Sequence, residues 1–98
     1  ADERADGVFA SSDVIAAQVL QACARFGVRV PEELRVVGFD DVEIAALTIP
    51  TITTIRQPVE DMCRYTISHI LRRLDGETVP TRTVLPVQLI ARGSTAAV

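Results

Sequence analysis

Asp40, Asp41 and Glu43 crowd three carboxylates together directly after the apolar run Val36-Val37-Gly38-Phe39. An apolar run that ends in Gly and then two acids resembles a buried strand delivering charge to the C-terminal edge of a sheet. In open α/β sheets that edge is where small ligands bind. There Asp40 could accept paired hydrogen bonds from the vicinal hydroxyls of a sugar or the N–H groups of a purine. A loop acid can equally cap a backbone turn, and Asp41 reads first as a group that orders its loop. Ser12 and Asp13 follow Phe9-Ala10-Ser11 at what should be a neighbouring strand end, and they join Asp40 as candidate ligand residues. Ser12 also suits helix N-capping, and both roles can hold together. Other chemistries find little support. Three acids without a glycine-turn loop or a His do not make a metal site. His69 stands alone on a helix flank, and Ser11 and Ser12 lack a Gly-x-Ser-x-Gly frame.

Composition narrows the classes further. The chain has 98 residues, 48% apolar and 23% charged, with a net charge of −3. That is one domain or part of one, richer in hydrophobic residues than its length needs. The surplus suggests surfaces meant for another subdomain or subunit. An acidic balance with dispersed arginines argues against nucleic-acid contact by this segment, since neutralising phosphates needs a clustered basic face. All ten basic residues are Arg. The segment therefore supplies no Schiff-base, P-loop or general-base lysine, and no cofactor is expected. No apolar run approaches membrane-spanning length. Cys23 and Cys63 lie in helical apolar patterns and read as buried free thiols.

These residues need elements to position them. Residues 1–5 form a polar lead without periodicity. Gly7 to Ala10 reads as a short buried strand, and Ser12 can cap a helix running from Asp13 to Phe26, with Gly27 as its stop. That helix is apolar nearly all round, so it should be covered on two sides. One side is assigned to the sheet. On the other, Ala16, Ala17 and Leu20, with Ile44, Leu47 and Ile49 farther on, are the candidate subunit interface. Val30 to Leu34 reads as a turn and Arg35 to Phe39 as a parallel-sheet strand. Residues 41–47 are loop or one helical turn, and Ile52 to Ile55 is a third strand. Pro58 and the acids Glu60 and Asp61 open a second helix, and Arg72, Arg73 and Gly76 close it. Its stripe of Val59, Met62, Cys63, Ile67, Ile70, Leu71 and Leu74 needs a partner surface. Thr83 to Ala91 alternates as a strand.

Phe9-Ala10-Ser11-Ser12-Asp13, Val36-Val37-Gly38-Phe39-Asp40-Asp41, Thr48 to Pro58 and the closing Arg92-Gly93-Ser94-Thr95 together resemble the LacI/GalR family of bacterial transcriptional repressors. The likeness runs from about Asp6 to Thr95 and corresponds to the last third of such a protein. It implies an α/β fold, a fragment of the type I periplasmic-binding-protein-like architecture. Residues 6–57 would belong to the C-terminal subdomain, 58–81 to a crossover helix of the N-terminal subdomain and 82–95 to a returning strand. Gln57 and Pro58 would mark one crossover and Pro86 the return. Cys63 departs from the Gly usual in that family. The resemblance implies that Asp40 contacts a small effector, a sugar or related metabolite, with Ser12 facing the same cleft. It further implies a cytoplasmic, homodimeric, ligand-responsive repressor and not an enzyme. Operator DNA would be read by a headpiece absent from this segment. A periplasmic sugar-binding protein of a transporter shares the fold and is the alternative.

Overall fold

The computed structural model describes residues 5–96, so most of the polar lead expected over 1–5 lies outside the described residues. The chain forms two compact units. One comprises the described residues up to Arg56 together with those from Gln88 onward, and the other is Gln57–Val87.

The first unit is built on parallel pairing. Strand β1 (Gly7–Phe9) pairs with β2 (Arg35–Val37), with Val8 opposite Val36. Helix α1 (Asp13–Phe26) makes the crossover between them. Its limits follow from its ends. The Ser12 hydroxyl accepts from the Ile15 N–H at 3.2 Å, and Gly27 takes a left-handed φ of 71°, which needs no Cβ to be accommodated. A parallel bridge from Val37 to Thr53 extends the sheet toward a third strand, β3 (Thr54–Arg56). β3 then pairs antiparallel with β4 (Gln88–Ile90), Arg56 opposite Gln88. Several expected strands are shorter here. Arg35 to Phe39 stops at Val37 because the Gly38 N–H turns to the Thr53 carbonyl and the Phe39 carbonyl accepts from the Asp13 N–H. Only Gln88–Ile90 of the stretch 83–91 finds a strand to pair with.

Ala10, Ala16, Leu20, Val36, Ala45 and Ile52 form the core, with Ala45 brought in by a 3-10 turn over Glu43–Ala46. One expectation about α1 is corrected by this packing. Ala16 is wholly buried and Leu20 nearly so. Their side of the helix lies on the core formed with Val36 and Ala45, so Ala16 is not a subunit-interface residue. Leu20 reaches only the floor of an open groove of about 450 Å³, which Val14, Ala17, Ile44 and Ile49 also line. Leu47 and Ile49 are 69% and 96% exposed.

The second unit contains helix α2 (Val59–Leu74), which buries none of its residues. Pro58 precedes its first turn, and Gly76 follows it with φ 81°. Tyr65 and His69 meet edge-on, ring centroids 6.0 Å apart. Both cysteines are free. Cys23 is buried as expected, whereas Cys63 is exposed, because α2 presents its apolar stripe outward.

Gly38 is where the first unit is tightest. A Cβ there would lie 2.2 Å from the Asp13 carboxylate oxygen, 3.1 Å from the Asp13 Cα and 3.2 Å from the Ile52 side chain. Gly38→Ala should therefore lower stability by about 1–3 kcal/mol through overpacking. An unchanged urea midpoint in that variant would show that α1 can move away from β2 at little cost.

Candidate functional site

β1 and β2 run parallel, so their C-terminal ends share one edge of the sheet, and the expected ligand residues fall there. Ser12 and Asp13 follow β1, and Asp40 and Asp41 follow β2. The backbone ties the two segments together. The Ala10 N–H donates to the Val37 carbonyl at 2.8 Å and the Asp13 N–H to the Phe39 carbonyl at 3.1 Å.

Asp13 is the hub of this edge and is wholly buried. One carboxylate oxygen accepts from the Thr54 hydroxyl at 2.6 Å, the other from the Val42 N–H at 2.8 Å. A buried carboxylate is costly unless hydrogen-bonded. Asp13 has two such partners, and it stands in the first turn of α1, where the helix dipole favours a negative charge. These bonds hold the acidic loop between α1 and β3. They also take Asp13 out of the set of ligand-contacting residues, because no part of it reaches solvent. Ser12 is half-buried and caps α1.

Asp40 is exposed on the same edge. Its φ is 107° and that of Asp41 is 56°, two successive non-glycine residues in the positive region. Such conformations cost on the order of 1–3 kcal/mol each and persist where surrounding contacts over-determine them. Here the contacts are visible. The Asp40 N–H donates to the Ile55 carbonyl at 2.8 Å, and the Asp41 N–H to the Thr54 hydroxyl at 3.3 Å.

Asp41 carries the electrostatics. Its carboxylate lies 2.7 Å from Arg56 Nε and 2.9 Å from an Arg92 terminal nitrogen, and its side chain is only 8% exposed. Burial pushes the carboxyl upward, but hydrogen bonds from Arg56 and Arg92, with their charges, outweigh it and hold the group below the ordinary Asp range. Glu43 lies in the 3-10 turn, and among the described residues no three potential metal ligands cluster.

Arg92 has a second task. Its other terminal nitrogen donates to the Ile52 carbonyl at 3.0 Å, and its N–H donates to the Thr53 hydroxyl at 2.7 Å. Ser94, wholly buried, accepts from the Thr53 N–H at 2.8 Å and donates to the Val36 carbonyl. The closing Arg92-Gly93-Ser94-Thr95 thus stitches β2 to the start of β3. The residue order alone assigns the members of this motif no role. The available signal was charge: two arginines at strand ends, set against two adjacent acids. Gln57 and Pro58 open the second unit and Pro86 lies near its end.

Residues 1–95 match the family model described as periplasmic binding protein-like domain. The chain is 34% identical over 91 residues to a ribose operon repressor of Halalkalibacterium halodurans. It is 40% identical over 90 residues to the HTH-type transcriptional regulator CelR of Thermobifida fusca. These alignments cover 92% and 91% of this chain but only 28% and 26% of those relatives. Among solved structures, it superposes with TM-score 0.84 and 35% identity on a periplasmic binding protein/LacI transcriptional regulator of Alkaliphilus metalliredigens complexed with D-xylulofuranose. With the Lac repressor dimer bound to operator and the anti-inducer ONPF, the TM-score is 0.87 at 30% identity. Each superposition covers 94% of this chain, and 35% and 32% of the other.

A depressed carboxyl gives stability that is complete above the unfolded-state value of about 3.9 and is lost as pH falls through the lower folded-state value. The stability advantage of the native protein over Asp41→Asn should therefore stay constant from neutral pH down to about 4 and shrink only below it. Urea midpoints of the two proteins across that range test this. An advantage already shrinking near pH 6 would assign the acid sensitivity to another group.

Proposed function

This chain belongs to the periplasmic binding protein-like family and has its α/β fold, and we propose that it is the C-terminal segment of the effector-binding domain of a LacI/GalR-type transcriptional repressor. The observation that carries the site is Asp40, exposed at the C-terminal edge of a parallel sheet and mounted on a loop pinned from three directions. A small effector, a sugar or related metabolite, lies against that edge, hydrogen-bonded to Asp40, with the α1 N-terminus and Ser12 beside it. Relatives named as operon repressors favour regulation over the transport-protein alternative. Solved relatives complexed with cellobiose and with D-xylulofuranose favour a sugar.

In this reading residues 6–57 form part of the C-terminal subdomain, 58–81 a crossover helix of the N-terminal one, and 82–95 the returning strand. Gln57, Pro58 and Pro86 mark the crossovers. The segment performs no catalysis. The whole protein works in the cytoplasm as a homodimer that meets operator DNA through a separate headpiece. Effector binding changes the operator-bound population through its differential affinity for two states. The groove floored by Leu20 and walled by Ala17, Ile44 and Ile49, with Leu47 nearby, is the contribution to the dimer surface. Ile49→Glu in the full-length repressor should shift sedimentation toward monomer at micromolar concentration. A sedimentation profile indistinguishable from that of the parent would exclude this patch from the interface.

The test of the site is Asp40→Ala in the full-length repressor. The lost charge-assisted hydrogen bonds are worth roughly 1.5–3 kcal/mol, on the order of ten- to a hundredfold in affinity. Calorimetry with whichever of D-ribose, sucrose and cellobiose the parent binds should show that loss, while operator affinity without sugar is retained. Undiminished sugar affinity would remove Asp40 from the site.

A further inference from the structure

The Asp40–Asp41 step combines two successive positive-φ residues with a carboxylate paired to two arginines. The hydrogen bonds of this loop to the Ile55 carbonyl and the Thr54 hydroxyl are neutral anchors on the β3 side. The Val42 N–H is held on the α1 side by Asp13. The Asp41 carboxylate adds a doubly charge-assisted anchor, one oxygen to Arg56 at 2.7 Å and the other to Arg92 at 2.9 Å. Of the two arginines, Arg92 is held independently of Asp41 at its side chain and Arg56 through the backbone of its strand. Arg92 is 19% exposed at its side chain and is bonded to the Ile52 carbonyl. Arg56 is the last residue of β3 and faces Gln88, the first of β4, so it marks both the exit of the chain to the second unit and its return. With both oxygens engaged by arginines and little surface exposed, Asp41 is poorly placed to take a ligand itself.

We infer that Asp41 is a positioning residue: clamped by Arg56 and Arg92, it locks the strained backbone step that presents Asp40, and it ties that step to the strand end where the chain passes to the second unit. Only the ligand consequence rests on the proposed role of Asp40; the locking of the loop stands apart from it. Preorganisation matters here because an acid held in its bound conformation spares the ordering cost that a mobile loop would meet on binding. Loss of the Asp41 charge should therefore weaken binding at Asp40 without removing any group that touches the ligand.

Amide hydrogen exchange in the full-length repressor decides the matter with no ligand needed. Asp41→Asn should speed exchange of the Asp40, Asp41 and Val42 amides at least tenfold, while amides of α1, β1 and β2 keep their protection. Arg56→Lys, which keeps a cation opposite Asp41, should preserve the protection that Arg56→Met loses. The same Asp41→Asn protein, still fully folded, should bind the sugar identified among D-ribose, sucrose and cellobiose roughly tenfold more weakly. Unchanged exchange across residues 40–42, or a uniform rise across the whole unit, would overturn the inference. Local loosening with Asp40→Ala binding sugar normally would uphold the locking role while refuting the ligand role of Asp40. The two failures are thus separable.

Discussion

The first unit depends on one buried carboxylate. Asp13 sits in the first turn of α1 and bonds at once to the Thr54 side chain at the start of β3 and to the backbone of Val42 beyond the acidic loop. Parallel strands need a long crossover and acquire no tight turn to align their ends. Something else must set how far α1 stands from the sheet edge, and here Asp13 does so. Gly38 is the matching constraint, since the space a side chain would need is already filled by the Asp13 oxygen and Cα. The carboxylate and the missing Cβ are two halves of one fit.

Neutral and charged anchors are divided across that edge in a way that suits a ligand site. Asp13 and Asp41 are adjacent to candidate ligand residues in sequence, yet both are consumed by the scaffold. Asp40 alone of these three is exposed. Neighbouring acids would repel one another in a poorly hydrated edge. Arg56 and Arg92 offset the charge of Asp41, while the Thr54 hydroxyl, the Val42 N–H and the helix N-terminus balance Asp13. Carboxylate pairs of this kind therefore read best as one displayed group and one that holds it.

Much of this was legible from residue order, and the limits have physical causes. The bounds of α1 were readable because Ser12 and Gly27 are local signals, satisfied within one turn. The parallel β1–β2 pair followed from an unbroken apolar run. Which side of α1 faces inward is not readable, because a helix with apolar residues nearly all round offers only the narrow polar stripe of Gln18, Gln21 and Arg25 to orient it, and Ala16 lies on the core side. The burial of Asp13 depends on Thr54, 41 residues away, and on Gly38 being small. No local pattern encodes that meeting. The stretch 83–91 alternates throughout, but alternation states only that a strand is possible. Pairing is tertiary, and β3 offers a partner to Gln88–Ile90 alone.

The two units differ in what sustains them. The first has a closed core and a polar network in which, among the described residues, no buried side-chain nitrogen or oxygen lacks a partner. The second centres on a helix of 16 residues that buries none of them. Isolated helices of that length are marginal in water, and most helical stability in proteins comes from packing an amphipathic face. Val59, Ile67, Leu71 and Leu74 are each more than half exposed, so this helix lacks the packing that usually sustains one of its length. The unit with the closed core carries the acidic edge, and the chain enters the second unit directly after Arg56. Within the first unit, Arg56 ends β3 opposite the first residue of β4 and pairs with Asp41, so the charge that steadies the acidic loop is fixed at the point where the chain leaves this unit.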